Sequence, residues 1–106
     1  MKLIIQQKKI QIKEETKIWN RYKTFKFYLE KIDFGIKLSH KKTWSTYFFC
    51  QNVDICVTNK ENKIIELYEN VTPERRKFLW KAHNIYYLPI NSCRYLKIGE
   101  KIKEEK

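Results

Sequence analysis

Hydrophobic and polar positions alternate with a period of two along much of this chain, the spacing of strands that bury one face. The cleanest stretch sets Val53, Ile55 and Val57 against Asp54, Cys56 and Thr58. Asn59-Lys60-Glu61-Asn62 then breaks the pattern, which resumes over residues 63–69 with Ile65 and Leu67 on one face. That succession predicts a β-hairpin, with Val53, Ile55, Val57, Ile65 and Leu67 at the heart of the core. Residues 3–13 alternate less regularly and predict a bent strand or small hairpin at a sheet edge. Gly35 marks a turn into a short strand through Ile36 and Leu38. Residues 44–50 and 84–90, both rich in aromatics, predict two more strands. Residues 98–102 predict a turn and a last short strand, and 103–106 a frayed end.

Elsewhere the period lengthens. Ile18, Tyr22, Phe25 and Leu29 recur at spacings of three and four, which predicts a helix over about 17–30 with Thr16 as its N-cap. Thr72-Pro73-Glu74 has the composition of a helix start, with Phe78, Leu79 and Ala82 as the apolar side. Asn91 or Ser92 is placed to cap one helical turn containing Tyr95 and Leu96. The expected fold is therefore mainly β (α+β), a single domain over residues 1–106. Its strands are antiparallel, with one helix in the N-terminal half and one or two short helical turns.

Composition narrows the functional classes. The 106 residues include only two glycines and two prolines, which excludes Gly-rich phosphate loops and the G-x-S-x-G elbow. No apolar run reaches the length of a membrane span. Cys50, Cys56 and Cys93 are an odd number without an export signal or a C-x-x-C pair. They predict free thiols, a cytoplasmic setting, and neither a metal nor a cofactor. The formal charge of +11 raises the nucleic-acid reading. Yet 19 of the 23 basic residues are Lys, and Lys, Ile and Asn together make up 40 positions, as biased codon use would produce. A solvated Lys-rich surface is the simpler expectation. The densest basic run, Arg75-Arg76-Lys77 with Lys81, is the one place where a phosphate contact is expected.

The order of short motifs resembles domain of unknown function 192. Arg21-Tyr22-Lys23-Thr24-Phe25-Lys26 lies where that family has R-x-x-G-L-M. Residues 46–55, Thr-Tyr-Phe-Phe-Cys-Gln-Asn-Val-Asp-Ile, resemble its aromatic-Met-Lys-Asn segment and following hydrophobic-Asp strand. Asn62-Lys63-Ile64-Ile65, Tyr87-Leu88-Pro89 and Ile98-Gly99-Glu100 resemble its later elements. The similarity spans about residues 16–103. Thr24, Lys26, Phe49 and Tyr87 depart from the family pattern, Tyr87 replacing the glutamate of E-L-P. The resemblance implies a small, mainly β domain of sandwich or barrel type with no assigned activity.

Three function classes follow. A binding or interaction module would use Arg21, Asn52 and Asp54 to hold a small ligand or protein partner, unless Arg21 and Asp54 simply pair to tie helix to sheet. This is the preferred class. A nucleic-acid binder would stack bases on exposed members of Tyr47, Phe48, Phe49, Tyr86 and Tyr87 beside Lys, unless these aromatics form the core. An enzyme finds least support, because no nucleophile–base pair is recognisable.

Overall fold

Every residue of β5 (Val53–Thr58) and of β8 (Asn84–Leu88) is buried, so both faces of these paired strands need covering. They are the centre of the structure. The computed structural model of the chain describes residues 2–5, 8–15, 32 and 34–105. The helix expected over 17–30, with Arg21, lies outside the described residues.

The other strands of the main sheet are β1 (Lys2–Ile5), β2 (Lys8–Glu15), β3 (Gly35–Ser39), β6 (Ile64–Val71) and β9 (Lys103–Glu105). The order across the sheet is β6-β5-β8-β3-β2-β1-β9. All pairs are antiparallel except β2 with β3, which is parallel. β4 (Thr43–Ser45) and β7 (Arg76–Phe78) form a separate two-stranded ribbon. The fold is thus mainly antiparallel β, as expected, with one parallel joint that the alternation pattern did not indicate. Among the described residues the one helical element is the 3-10 turn Cys93–Tyr95. No helix among them is long and apolar enough to cross a membrane.

The expected hairpin is present, with β5 and β6 joined by residues 59–63. Asn59 Oδ1 accepts from the backbone N–H groups of Glu61 at 3.0 Å and Lys63 at 3.1 Å, closing the turn. Its packing differs from the alternation reading. Ile65 and Leu67 are half-buried, and the fully buried residue of β6 is Ile64. The cause is a pair of register shifts in β6, one between Val53 and Ile55 and one between Val57 and Thr58 of its partner. Each inserts a residue and bends the strand. The bend carries the start of β6 to the segment leading into β9 at the sheet's far edge. There Ile64 N–H donates to Glu100 at 2.9 Å, Gly99 N–H to Ile64 at 2.8 Å, and Ile102 N–H to Asn62 at 3.0 Å. The sheet's two edges meet at this end, rolling it toward a barrel.

Two core clusters fill the two faces. One gathers Val53, Ile55, Val57, Ile36, Leu38, Trp44, Ile85 and Tyr87; the other gathers Cys56, Ile64, Tyr86, Leu88, Cys93 and Ile102.

Three further expectations are corrected. Residues 44–50 are not one strand: β4 ends at Ser45, and Phe48 takes φ 67°, incompatible with extended backbone. Thr72-Pro73-Glu74 starts no helix. Glu74 takes φ 62°, and Thr46 holds the segment by accepting from Arg75 N–H at 3.0 Å and donating to the Thr72 carbonyl at 2.9 Å. Residues 76–78 then pair with β4, so tertiary hydrogen bonds override the local capping signal. Finally, residues 103–105 are not frayed but pair with β1.

Ile55 has no exposed surface. Replacing it with Ala is expected to cost about 2–5 kcal/mol in urea unfolding. A loss under about 1 kcal/mol would mean that its surroundings collapse onto the vacated space.

Candidate nucleic-acid interface

Asn52 and Asp54 are brought together, but their polar groups are committed to holding the chain. Asp54 is fully buried at the first bulge of β6. Its Oδ1 accepts from Asn70 N–H and its Oδ2 from Cys93 N–H, each at 2.8 Å. The bulge frees the Asn70 N–H from the strand ladder, and Asp54 satisfies it. Asn52 Nδ2 donates to Asn70 Oδ1 at 2.9 Å. A cavity of about 480 Å³ adjoins the site, lined by Asp54, Glu69, Asn70, Ile90, Asn91 and Arg94. With both oxygens of Asp54 occupied, Asn52 and Asp54 read as a bulge lock, and Arg21 lies outside the described residues.

The basic run lies elsewhere, on the β4–β7 ribbon. Trp44 of β4 is buried, and its cross-strand partner is Lys77. Directly paired residues share a face, so Lys77 lies on the inner side, where its ammonium sits 5.7 Å from the Tyr68 ring centre. Arg76 and Phe78, paired with Ser45 and Thr43, therefore belong to the outer face. Phe78 is 64% exposed and Trp80 68% exposed. The Lys81 ammonium lies 5.2 Å from the centre of the Trp80 ring, and Lys42 Nζ donates to the Trp80 carbonyl at 2.6 Å. Arg75, Arg76, Lys77 and Lys81 are all exposed, and no acid lies between them; Glu74 directly precedes the run. Tyr47 and Phe48 add exposed aromatic surface on the loop after β4.

The strand aromatics divide. Tyr86 and Tyr87 are buried, which corrects their candidacy for base stacking. Tyr87 instead ties the ribbon to the sheet: its hydroxyl accepts from Ser45 N–H at 2.9 Å and donates to the Ser45 carbonyl at 3.1 Å. Phe49 packs half-buried against Tyr87, with ring centres 5.6 Å apart. Sequence reasoning missed Trp80, because a helix over this segment hid it. The signal was the apolar run Phe78-Leu79-Trp80 enclosed by Lys77 and Lys81.

Cys50, Cys56 and Cys93 are free thiols, as expected. Burial pushes the Cys56 and Cys93 thiols far above the ordinary range, with Glu100 adding to the effect at Cys56 and with Cys56 and Asp54 adding at Cys93. Among the described residues, no group of three or more His, Cys, Asp or Glu is placed to hold a metal ion.

No family model matches the chain, and no curated protein matches it. The resemblance to domain of unknown function 192 therefore rests on the quoted motifs alone. Two solved structures are similar. One is a protein of unknown function from Novosphingobium aromaticivorans DSM 12444, with TM-score 0.77 and 11% identity over 97% of this chain and 82% of that one. The other is described as a "putative transcription regulator" from Sinorhizobium meliloti 1021, with TM-score 0.78 and 11% identity over 96% of this chain and 89% of that one. The likeness is one of fold.

Asp54→Asn is expected to destabilise by about 1–3 kcal/mol, because its amide places a donor against a backbone N–H that needs an acceptor. Chemical denaturation measures this; an unchanged midpoint would mean that water substitutes for the lost acceptor. Aqueous thiol reagents are expected to modify one cysteine, Cys50, in the native protein and all three after unfolding without reductant. A native count of three would contradict the burial of Cys56 and Cys93.

Proposed function

We propose that the chain is a binding domain for single-stranded nucleic acid, with the β4–β7 ribbon and residues 79–81 as its contact surface. The observation that carries this reading is the pairing of two exposed aromatics, Phe78 and Trp80, with Arg75, Arg76, Lys77 and Lys81 in one seven-residue segment. Exposed aromatic rings supply π-faces for unpaired bases, and the cations neutralise the phosphates between them. A duplex keeps its bases stacked, so the aromatic part of this surface selects for single strands. The description of the Sinorhizobium meliloti protein as a "putative transcription regulator" accords with a nucleic-acid partner. The ligand-binding role of Arg21, Asn52 and Asp54 is the weaker reading, since Asp54 is consumed by two backbone N–H groups.

Labelled single-stranded and duplex oligonucleotides titrated at about 50 and 200 mM salt test the proposal. Single strands are expected to bind more tightly than duplex. Trp80→Ala should weaken binding by roughly 5- to 150-fold, matching about 1–3 kcal/mol per stacked base. Arg75→Ala with Arg76→Ala should flatten the dependence of log affinity on log salt by about 1.4, at roughly 0.7 per phosphate contact. No binding at the lower salt, or unchanged affinity in Trp80→Ala, would overturn the reading.

A further inference from the structure

Beside the ribbon lies a cleft of about 380 Å³, lined by Lys42, Asn59, Lys60, Glu61, Lys81 and His83 among others. Its walls come from three separate places in the chain: the turn between β5 and β6, the residue before β4, and the segment before β8. Backbone hydrogen bonds hold them together. His83 N–H donates to the Thr58 carbonyl at 2.8 Å, and Lys41 N–H to the His83 carbonyl at 3.0 Å. The cleft therefore rests on core strands and does not depend on a loose loop.

Its charge is unbalanced. Lys42, Lys60 and Lys81 face a single acid, Glu61. His83 senses the excess: its pKa is held below the ordinary value first by loss of hydration, then by His40, Lys60, Lys42 and Lys37. His40 contributes at close range, its ring edge-on to that of His83 with centres 4.5 Å apart. A volume of this size is at the small end of ligand pockets, which suits a nucleotide-sized group and not a protein segment. Two of the cleft's lysines also adjoin Trp80: the Lys81 ammonium lies 5.2 Å from its ring centre, and Lys42 binds its backbone carbonyl.

We propose that this cleft is a phosphate subsite, receiving the phosphate next to the base stacked on Trp80. The assignment rests on the strand-binding reading above. Lys60 and Lys81 supply the opposing charge, and Lys42 is held at the rim by its bond to the Trp80 carbonyl. The negative charge of the phosphate offsets the field of Lys37, Lys42, Lys60, Lys81 and His40 at His83, so His83 binds a proton more readily in the complex. Proton uptake on binding makes affinity rise as pH falls.

The experiment has two arms. Inorganic phosphate is titrated into isotopically labelled protein against chloride at equal ionic strength, followed by amide NMR. Saturable shifts confined to residues 42, 59–61 and 81–83 are expected; shifts that are absent, or equal to those with chloride, overturn the subsite. In the second arm, oligothymidylate with a 5′-hydroxyl binds the native protein, Lys60→Gln and His83→Gln across pH 5.5 to 8. Its phosphodiesters do not titrate there. Lys60→Gln should weaken binding roughly tenfold, as loss of one charge-assisted contact implies, and His83→Gln should abolish the rise toward low pH. If phosphate maps to the cleft but no oligonucleotide binds, the strand-binding reading fails and the cleft stands as a site for a small phosphate-bearing molecule. If oligonucleotide binds and both variants leave affinity and pH profile unchanged, the subsite is overturned and the ribbon reading stands.

Discussion

Burial of β5 on both faces is the constraint from which the rest of the structure follows. Val53, Ile55 and Val57 fill one face, and Asp54, Cys56 and Thr58 fill the other, all without exposed surface. An isolated sheet exposes one side, so this strand needs a layer of side chains on each side. Trp44 and Tyr68 help supply the first, their rings packing 5.1 Å apart. Ile64, Cys93 and Ile102 supply the second. The second layer carries the polar residues of β5, so their hydrogen bonds must be satisfied inside the protein. Asp54 binds two backbone N–H groups, and the Thr58 hydroxyl donates to Asn62 Oδ1 at 3.3 Å.

Asn62 shows how one residue serves several of these needs. It takes φ 62°, a conformation that Asn tolerates better than most residues, and so ends the hairpin turn. Its side-chain oxygen accepts from Thr58 and from the Tyr86 hydroxyl, and its backbone carbonyl accepts from Ile102 N–H. Turn, central strands and sheet closure are joined through one side chain and one carbonyl. The bulges in β6 make that possible, because an unbent strand would not carry its first residues to the segment before β9.

Much of the fold was legible where local and global demands agree. The hairpin, the strand at 84–88, the start of β3 at Gly35 and the turn at Gly99, with φ 97°, all follow from patterns within a few residues. Burial on both faces was not legible from β5, because Cys56 and Thr58 read equally well on an open face. The helix expected at 72–82 failed because the acceptor that Arg75 N–H finds is on Thr46, 29 positions away. No window of sequence contains that partner. The candidate site divides the same way. Arg75, Arg76, Lys77 and Lys81 were visible as a charge run, but Lys42 and Lys60 join Lys81 and His83 only through tertiary contacts. Asp54 was visible as an acid in a strand, and only the bulge shows why it is there.

The core also decides which residues the ribbon presents to solvent. Trp44 fills one core cluster, which fixes the parity of β4. Register then carries that parity to β7: Lys77 opposite Trp44 turns inward, and Arg76 and Phe78 turn outward. A shift of one residue would turn Phe78 to the side of Trp44 and Lys77 to the outer face. Thr46 and Tyr87 prevent the shift from both sides, Thr46 by anchoring the loop before β7 and Tyr87 by clamping Ser45 at the end of β4. Large exposed aromatics on a monomer surface usually mark a binding surface, because water contact with them is unfavourable. Here the exposure of Phe78 follows from the burial of Trp44 on the opposite face of the ribbon. The ribbon's register is consequently set by the core and by hydrogen bonds from Thr46 and Tyr87, and the charge run's outer face is a product of packing on its inner one.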